Sequence, residues 1–202
     1  MQVSRRIACT AFRCQDVKHE CYLLPRIDVQ PDSVSIVLIS ESAPQNCCDY
    51  YYSAGQPLYA ETTIQAFQDA GAPVESIEDI LELGVYLTTA VKCAKTGYGI
   101  KAGTIKECSK LLEHELDLFP ATQAYLLMGD VAIKAINYIA KRSGDERVIP
   151  AGSTYKNRGG EFRFRGKPAF PSYLQAGPSF GIEKSKRRMI AEDIAAALAQ
   201  AQ

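Results

Sequence analysis

No stretch of the chain comes near the roughly 18 consecutive apolar residues that a membrane-spanning helix requires, which excludes such a helix. The opening segment, MQVSRRIACTAFRCQ, lacks the apolar core of about 7–15 residues that marks a secretory signal, so a cytoplasmic protein is expected. Net charge is also missing. Lys and Arg total 23 and Asp and Glu total 23, which argues against a protein that coats nucleic acid through total charge alone. Neither an internal repeat nor a dividing linker interrupts the 202 residues, which suit one domain, 1–202. A composition that is 47% hydrophobic and 23% charged excludes disorder.

What is present is unevenly distributed. Residues 31–90 carry nine acidic side chains and no Lys or Arg, whereas residues 151–190 carry nine basic side chains against two acidic ones. Separation of this kind suits either a polyanion-facing side or two solvated faces. Seven cysteines, at 9, 14, 21, 47, 48, 93 and 108, are many for a reducing compartment and odd in number. That count disfavours a disulfide framework and raises metal or cluster binding.

Short apolar runs alternate with helical patterns. Strands are expected at 35–40, 86–91 and 124–128, with a short strand and loop over 168–174. Helices are expected at 59–70, 77–83, 104–116, 131–141 and 182–199, and residues 144–168 read as loop or hairpin. This order implies an α/β fold, a three-layer αβα sandwich around a central, mainly parallel four-stranded sheet. Its site should lie outside the strands' carboxyl ends.

Chemistry is therefore sought after each strand. Ser40-Glu41-Ser42-Ala43-Pro44 places a carboxylate where it could orient or deprotonate a water, its plainer role being to cap a backbone amide. Val91-Lys92-Cys93 follows the second strand, with Cys108 beyond a Gly-containing loop. Phe170-Pro171-Ser172-Tyr173-Leu174 forms an aromatic, rigid turn before a basic helix start of Lys184, Lys186, Arg187 and Arg188. Such a pair suits a groove-entering loop beside phosphate-binding cations.

Over roughly residues 14–199, these motifs in this order resemble the uracil-DNA glycosylase superfamily, most closely its iron-sulfur, thermophile-type (family 4) branch. Ser40-Glu41-Ser42-Ala43-Pro44 stands where that family has Gly-Glu-Ala-Pro-Gly, and Gly55-Gln56-Pro57-Leu58 where it has Gly-Arg-Pro-Phe. Thr89-Ala90-Val91-Lys92-Cys93 replaces Asn-Val-Val-Lys-Cys, Met128-Gly129 replaces Leu-Gly, and Phe170-Pro171-Ser172-Tyr173-Leu174 replaces His-Pro-Ser-Tyr-Leu. The resemblance implies a DNA glycosylase that flips a deaminated or damaged base, uracil or a related one, and hydrolyses its N-glycosidic bond. Glu41 would position water, and Ser40, Ser42, Pro44, Leu58, Tyr59, Thr89 and Phe170 would form the base pocket. Pro171, Ser172, Tyr173, Lys184, Lys186, Arg187 and Arg188 would bind DNA, double- or single-stranded, as a monomer.

Three positions depart from the family: Leu58 for the stacking Phe, Thr89 for the base-reading Asn, and Phe170 for the His. Thr offers a single hydroxyl where Asn offers two complementary hydrogen bonds, so altered specificity or weak activity is expected. A noncatalytic nucleic-acid-binding protein and a small-molecule hydrolase are the alternatives. The resemblance further implies a [4Fe-4S] cluster, with Cys93 and Cys108 as its second ligand pair. The lead segment, 1–30, would supply the first pair, Cys14 with Cys21, although Cys9 stands nearby and Cys47 and Cys48 are substitutes.

Overall fold

The computed structural model describes residues 1–201. Six strands form one mixed sheet: β1 (Val17–Tyr22), β2 (Ile36–Ala43), β3 (Val85–Lys95), β4 (Ala124–Met128), β5 (Arg163–Phe164) and β6 (Lys167–Ser172). Their spatial order is β1-β3-β2-β4-β6-β5. The inner four run parallel, as expected. Two antiparallel edge strands, β1 on β3 and β5 on β6, correct the expected count from four to six. β1 lies in the lead segment and β5 in the stretch read as loop or hairpin.

Six helices fill the connections: α1 (Leu58–Asp69), α2 (Ile77–Glu82), α3 (Ala102–Leu116), α4 (Asp130–Arg142), the single turn α5 (Thr154–Asn157) and α6 (Lys184–Gln200). Strand β2 explains the layering. Ile36 and Leu38 face a core built with Phe67, Ile80 and Ile194 of α1, α2 and α6, while Val37 and Ile39 face Leu112 and Ile136 of α3 and α4. Alternate residues of a strand point to opposite faces, so a run apolar at every position is buried on both. The helices follow local rules. Ser76 and Asp79 form a reciprocal capping box that starts α2, and α4 carries its apolar residues at 131, 132, 135, 136 and 139 on one buried stripe.

The strands outrun their apolar cores. β2 continues through Ser40, Glu41 and Ser42, β3 through Lys92 and Cys93, and β6 through Phe170 and Ser172. Residues expected in loops therefore sit in strands, because hydrogen bonding to neighbouring strands extends past the hydrophobic pattern. β1 pairs with β3 out to Lys95, and the register of β2 on β3 shifts between Ser42 and Ala43. No helix among the described residues is long and apolar enough to cross a membrane.

Candidate active site

A cavity of about 620 Å³ opens beyond the carboxyl ends of β2 and β4, with Glu41, Gly129, Asp130, Tyr173 and Lys186 in its wall. Glu41 is held in two ways. Its Oε1 accepts from the Val131 backbone N–H at 3.4 Å, at the start of α4. Its side chain also lies directly over Gly129, which has φ +97°, and a Cβ there would sit 2.6 Å from Oε1. Gly129 thus does two jobs, since its backbone conformation favours glycine and its missing side chain makes room for the carboxylate. Gly129→Ala is expected to lose about 1–3 kcal/mol of stability, read as a shift of the chemical-denaturation midpoint. An unchanged midpoint would mean the strand-to-helix turn is not constrained.

The residues flanking Glu41 are pinned as well. Ser40 is fully buried and hydrogen-bonds the Tyr51 hydroxyl, and the Gln175 amide donates to both at 3.1 Å and to Thr63 Oγ1 at 3.3 Å. The Tyr59 hydroxyl donates to the Ser42 carbonyl at 3.2 Å. Burial, with Glu41 nearby, pushes the Tyr59 hydroxyl up to about 12, so it remains a donor at neutral pH. Burial likewise raises Tyr51. The Ser40 side chain is therefore tied to Gln175, just after Tyr173 and Leu174, and the Ser42 carbonyl to α1.

Several residues expected in the base pocket are elsewhere. Leu58 begins α1 beside Asp49, Thr89 is fully buried within β3, and none of Leu58, Tyr59, Thr89 or Phe170 lines this cavity. Phe170 stands in β6 opposite Leu126 and lines a separate depression with Asp193 and Ala196 of α6. Pro171 and Ser172 are buried strand residues, and Pro44 is buried too. Of the nine acids in the 31–90 stretch, Glu41 alone reaches the cavity wall. The charge segregation along the chain is thus not a segregation around the site.

The basic helix start is largely neutralised. Lys186 pairs with Glu183 at 2.7 Å, Arg187 with Asp69, and Arg188 with Glu192 at 3.5 Å. Lys186 also stands 5.4 Å from the Tyr173 ring centre, a cation-π contact at the cavity edge. Lys184 is exposed. Of the cavity's three cations, Lys95 and Lys134 lie outside the segment singled out by charge counting, and Lys186 lies within it. Only the Gly97-Tyr98-Gly99 tip near them carries a sequence signal, an aromatic between two turn residues.

The cysteines divide differently from expectation. Cys21 is bonded to Cys47, with Cα atoms 5.5 Å apart, so it is a disulfide partner and not one of a free thiol set. The odd cysteine count disfavoured a disulfide framework, and one disulfide is nonetheless present. Cys9, Cys14, Cys93 and Cys108 instead line one cavity of about 240 Å³, together with Tyr22 and both histidines. The Lys92 backbone N–H points at Cys108 Sγ at 3.3 Å, and the Cys9 N–H donates to the Tyr22 hydroxyl at 2.8 Å. Burial pushes the Cys93 thiol up to about 12 and the Cys108 thiol up to about 11, so without a metal both are neutral and poorly nucleophilic. No group of three or more Cys, His, Asp or Glu among the described residues is placed to hold a metal ion. A [4Fe-4S] cluster takes four thiolates at separate irons, and these four cysteines would be the donors of the cluster that the resemblance implies.

No protein-family model matches the chain. A 59-residue stretch, 29% of this chain, is 34% identical to the type-5 uracil-DNA glycosylase of Thermus thermophilus and spans 27% of that protein.

Proposed function

We propose that the chain is a base-excision glycosylase of the uracil-DNA glycosylase superfamily, acting on a flipped deaminated or damaged base in DNA. The observation that carries this reading is Glu41, fixed over Gly129 at the start of α4 and facing a cavity of about 620 Å³ at the parallel strands' carboxyl ends. Such a volume falls within the roughly 300–1,000 Å³ of small-molecule pockets and holds a nucleobase with its sugar. The motif order and the 59-residue similarity support the superfamily; the iron-sulfur, family 4 branch is the finer part of the proposal.

In the reaction, the bond between C1′ of the sugar and the base nitrogen breaks and its electron pair leaves with the base. A water oxygen bonds to C1′, and the water's proton ends on the base. Glu41 holds that water by accepting its hydrogen bond, and its negative charge faces the positive charge that develops on the sugar. Tyr173 supplies an aromatic wall. With Leu58, Thr89 and Phe170 outside the cavity, the base-reading groups differ from those of the family, so a base other than uracil is a natural substrate. That same displacement favours the second reading, a noncatalytic DNA-binding protein.

Duplex and single-stranded oligonucleotides bearing uracil, hypoxanthine, xanthine or oxidised bases separate the two. Release of one base by the wild type, lost in Glu41→Gln, supports the enzyme; binding without release supports the second reading.

The resemblance's [4Fe-4S] cluster is carried over with an altered ligand set, Cys9, Cys14, Cys93 and Cys108. Bound there, it would supply a cross-link between β3, α3 and residues 7–16, which form no regular element. Anaerobically purified protein should be brown, absorbing near 400 nm on a thiolate-to-iron charge-transfer estimate. Cys9→Ser should lose most of its iron, whereas Cys21→Ser should keep it. An iron-free, colourless wild type, or iron lost equally in both variants, would remove the assignment.

A further inference from the structure

Among the described residues the most exposed large apolar side chains are Tyr98, at 102% relative exposure, Ile182 at 76% and Tyr155 at 70%. Scattered singly, exposed apolar side chains are ordinary. Two of the three share one cavity. Tyr98 and Ile182 line the mouth of the Glu41 cavity, and Tyr155 follows Thr154, which lines it too. Tyr98 stands at the tip of the β3–α3 loop between Gly97 and Gly99, and a Cβ at either glycine would meet nothing within 4 Å. The ring is therefore clear of the protein. Its backbone is not loose, because Lys95 Nζ donates to the Tyr98 carbonyl at 3.2 Å.

Charge at the mouth selects among partners. Lys95, Lys134 and Lys186 are balanced by Glu41, Asp130 and Glu183, and two of the three lysines are already in ion pairs with Asp130 and Glu183. A balanced rim gives little pull on phosphates. Tyr98 and Ile182 offer instead a flat ring and an aliphatic surface, which suit the uncharged face of a nucleobase.

We propose that Tyr98 is a base-stacking residue, which receives an unpaired nucleobase next to the one that enters the Glu41 cavity. This rests on the base-excision reading and adds a contact to it, on a loop separate from the Tyr173 loop and from α6. The partner is a nucleic-acid strand with an unstacked base, single-stranded or opened within a duplex.

The test uses the intact protein with two fluorescent oligonucleotides, one single-stranded and one duplex carrying a tetrahydrofuran abasic analogue that cannot be hydrolysed. Binding is followed by anisotropy at several salt concentrations. Tyr98→Ala should weaken binding roughly 5- to 150-fold, and Tyr98→Phe should retain it. The dependence on salt should be unchanged, because removing a phosphate contact lowers that slope by about one unit and removing a stacking contact does not. Equal affinity in Tyr98→Ala, or a loss accompanied by a changed slope, would overturn the proposal, as would a wild type that binds neither oligonucleotide. Base release that continues with unaltered binding in Tyr98→Ala leaves the glycosylase reading standing and removes this one. Tyr98-dependent binding by a wild type that releases no base does the reverse.

Discussion

Glu41→Gln is expected to slow base release roughly 10²- to 10⁴-fold, the usual contribution of a positioned acid or base. Gln is the informative replacement because it keeps the length of the side chain and an oxygen that can accept from the Val131 N–H, now at 3.4 Å from Oε1. What it loses is the negative charge and one of the two acceptor oxygens that would hold water against the sugar. The Ser40, Tyr51 and Gln175 network should remain intact in this variant, so the melting temperature should hold. Single-turnover release from the oligonucleotide substrate is the measurement. A rate within tenfold of wild type, in a protein with unchanged melting, would remove Glu41 from the chemistry.

The largest expected effect on stability comes from the contact between β3 and α3. Lys92 of β3 and Glu115 of α3 form an ion pair with no solvent exposure on either side chain. Glu115 Oε1 also accepts from the Tyr86 hydroxyl at 2.7 Å and from Thr88 at 2.8 Å, and Lys92 Nζ donates to Thr88 Oγ1 at 2.7 Å. Such a network is costly to assemble but far costlier to break. Glu115→Leu strands a buried ammonium and should cost about 3–5 kcal/mol, whereas Lys92→Met combined with Glu115→Leu should recover most of that loss. Urea unfolding of the two variants tests it, and a single variant within about 1 kcal/mol of wild type would show that water or a rearranged partner reaches Lys92. Cys93 follows Lys92, and Cys108 accepts from the Lys92 backbone, so disruption here should loosen the thiol cavity as well.

The parallel core was legible because Ile36-Val37-Leu38-Ile39 and Ala124-Tyr125-Leu126-Leu127-Met128 are unbroken apolar runs, a pattern that burial on both faces requires. β1 escaped notice because Val-Lys-His-Glu-Cys-Tyr is an edge strand, with one short face buried and charges on the other. β5 has only two residues, too few for any period. Within the site, Glu41 was visible from its place at a strand end. Leu58, Thr89 and Phe170 were placed by motif position, which says where a residue falls along the chain but not which way it points. A strand's pleat sends Phe170 towards α6 and seals Thr89 inside β3, away from the cavity.

The cysteines show the same division. Local pattern determined the elements that carry Cys93 and Cys108, and their approach across β3 and α3 followed from it. Which thiols join them was decided by the register of β1. That strand is irregular between Lys18 and Tyr22, with Tyr22 set beside Cys93, so Tyr22 lines the thiol cavity while Cys21 turns to Cys47. Cys9, in a segment without periodicity, reaches the cavity through its hydrogen bond to Tyr22. Hydrophobic periodicity is a local property written along the chain, and it suffices to build strands and helices. Pairing register and side-chain direction exist only once those elements meet, and they selected both the cavity around Glu41 and the cysteines that share one.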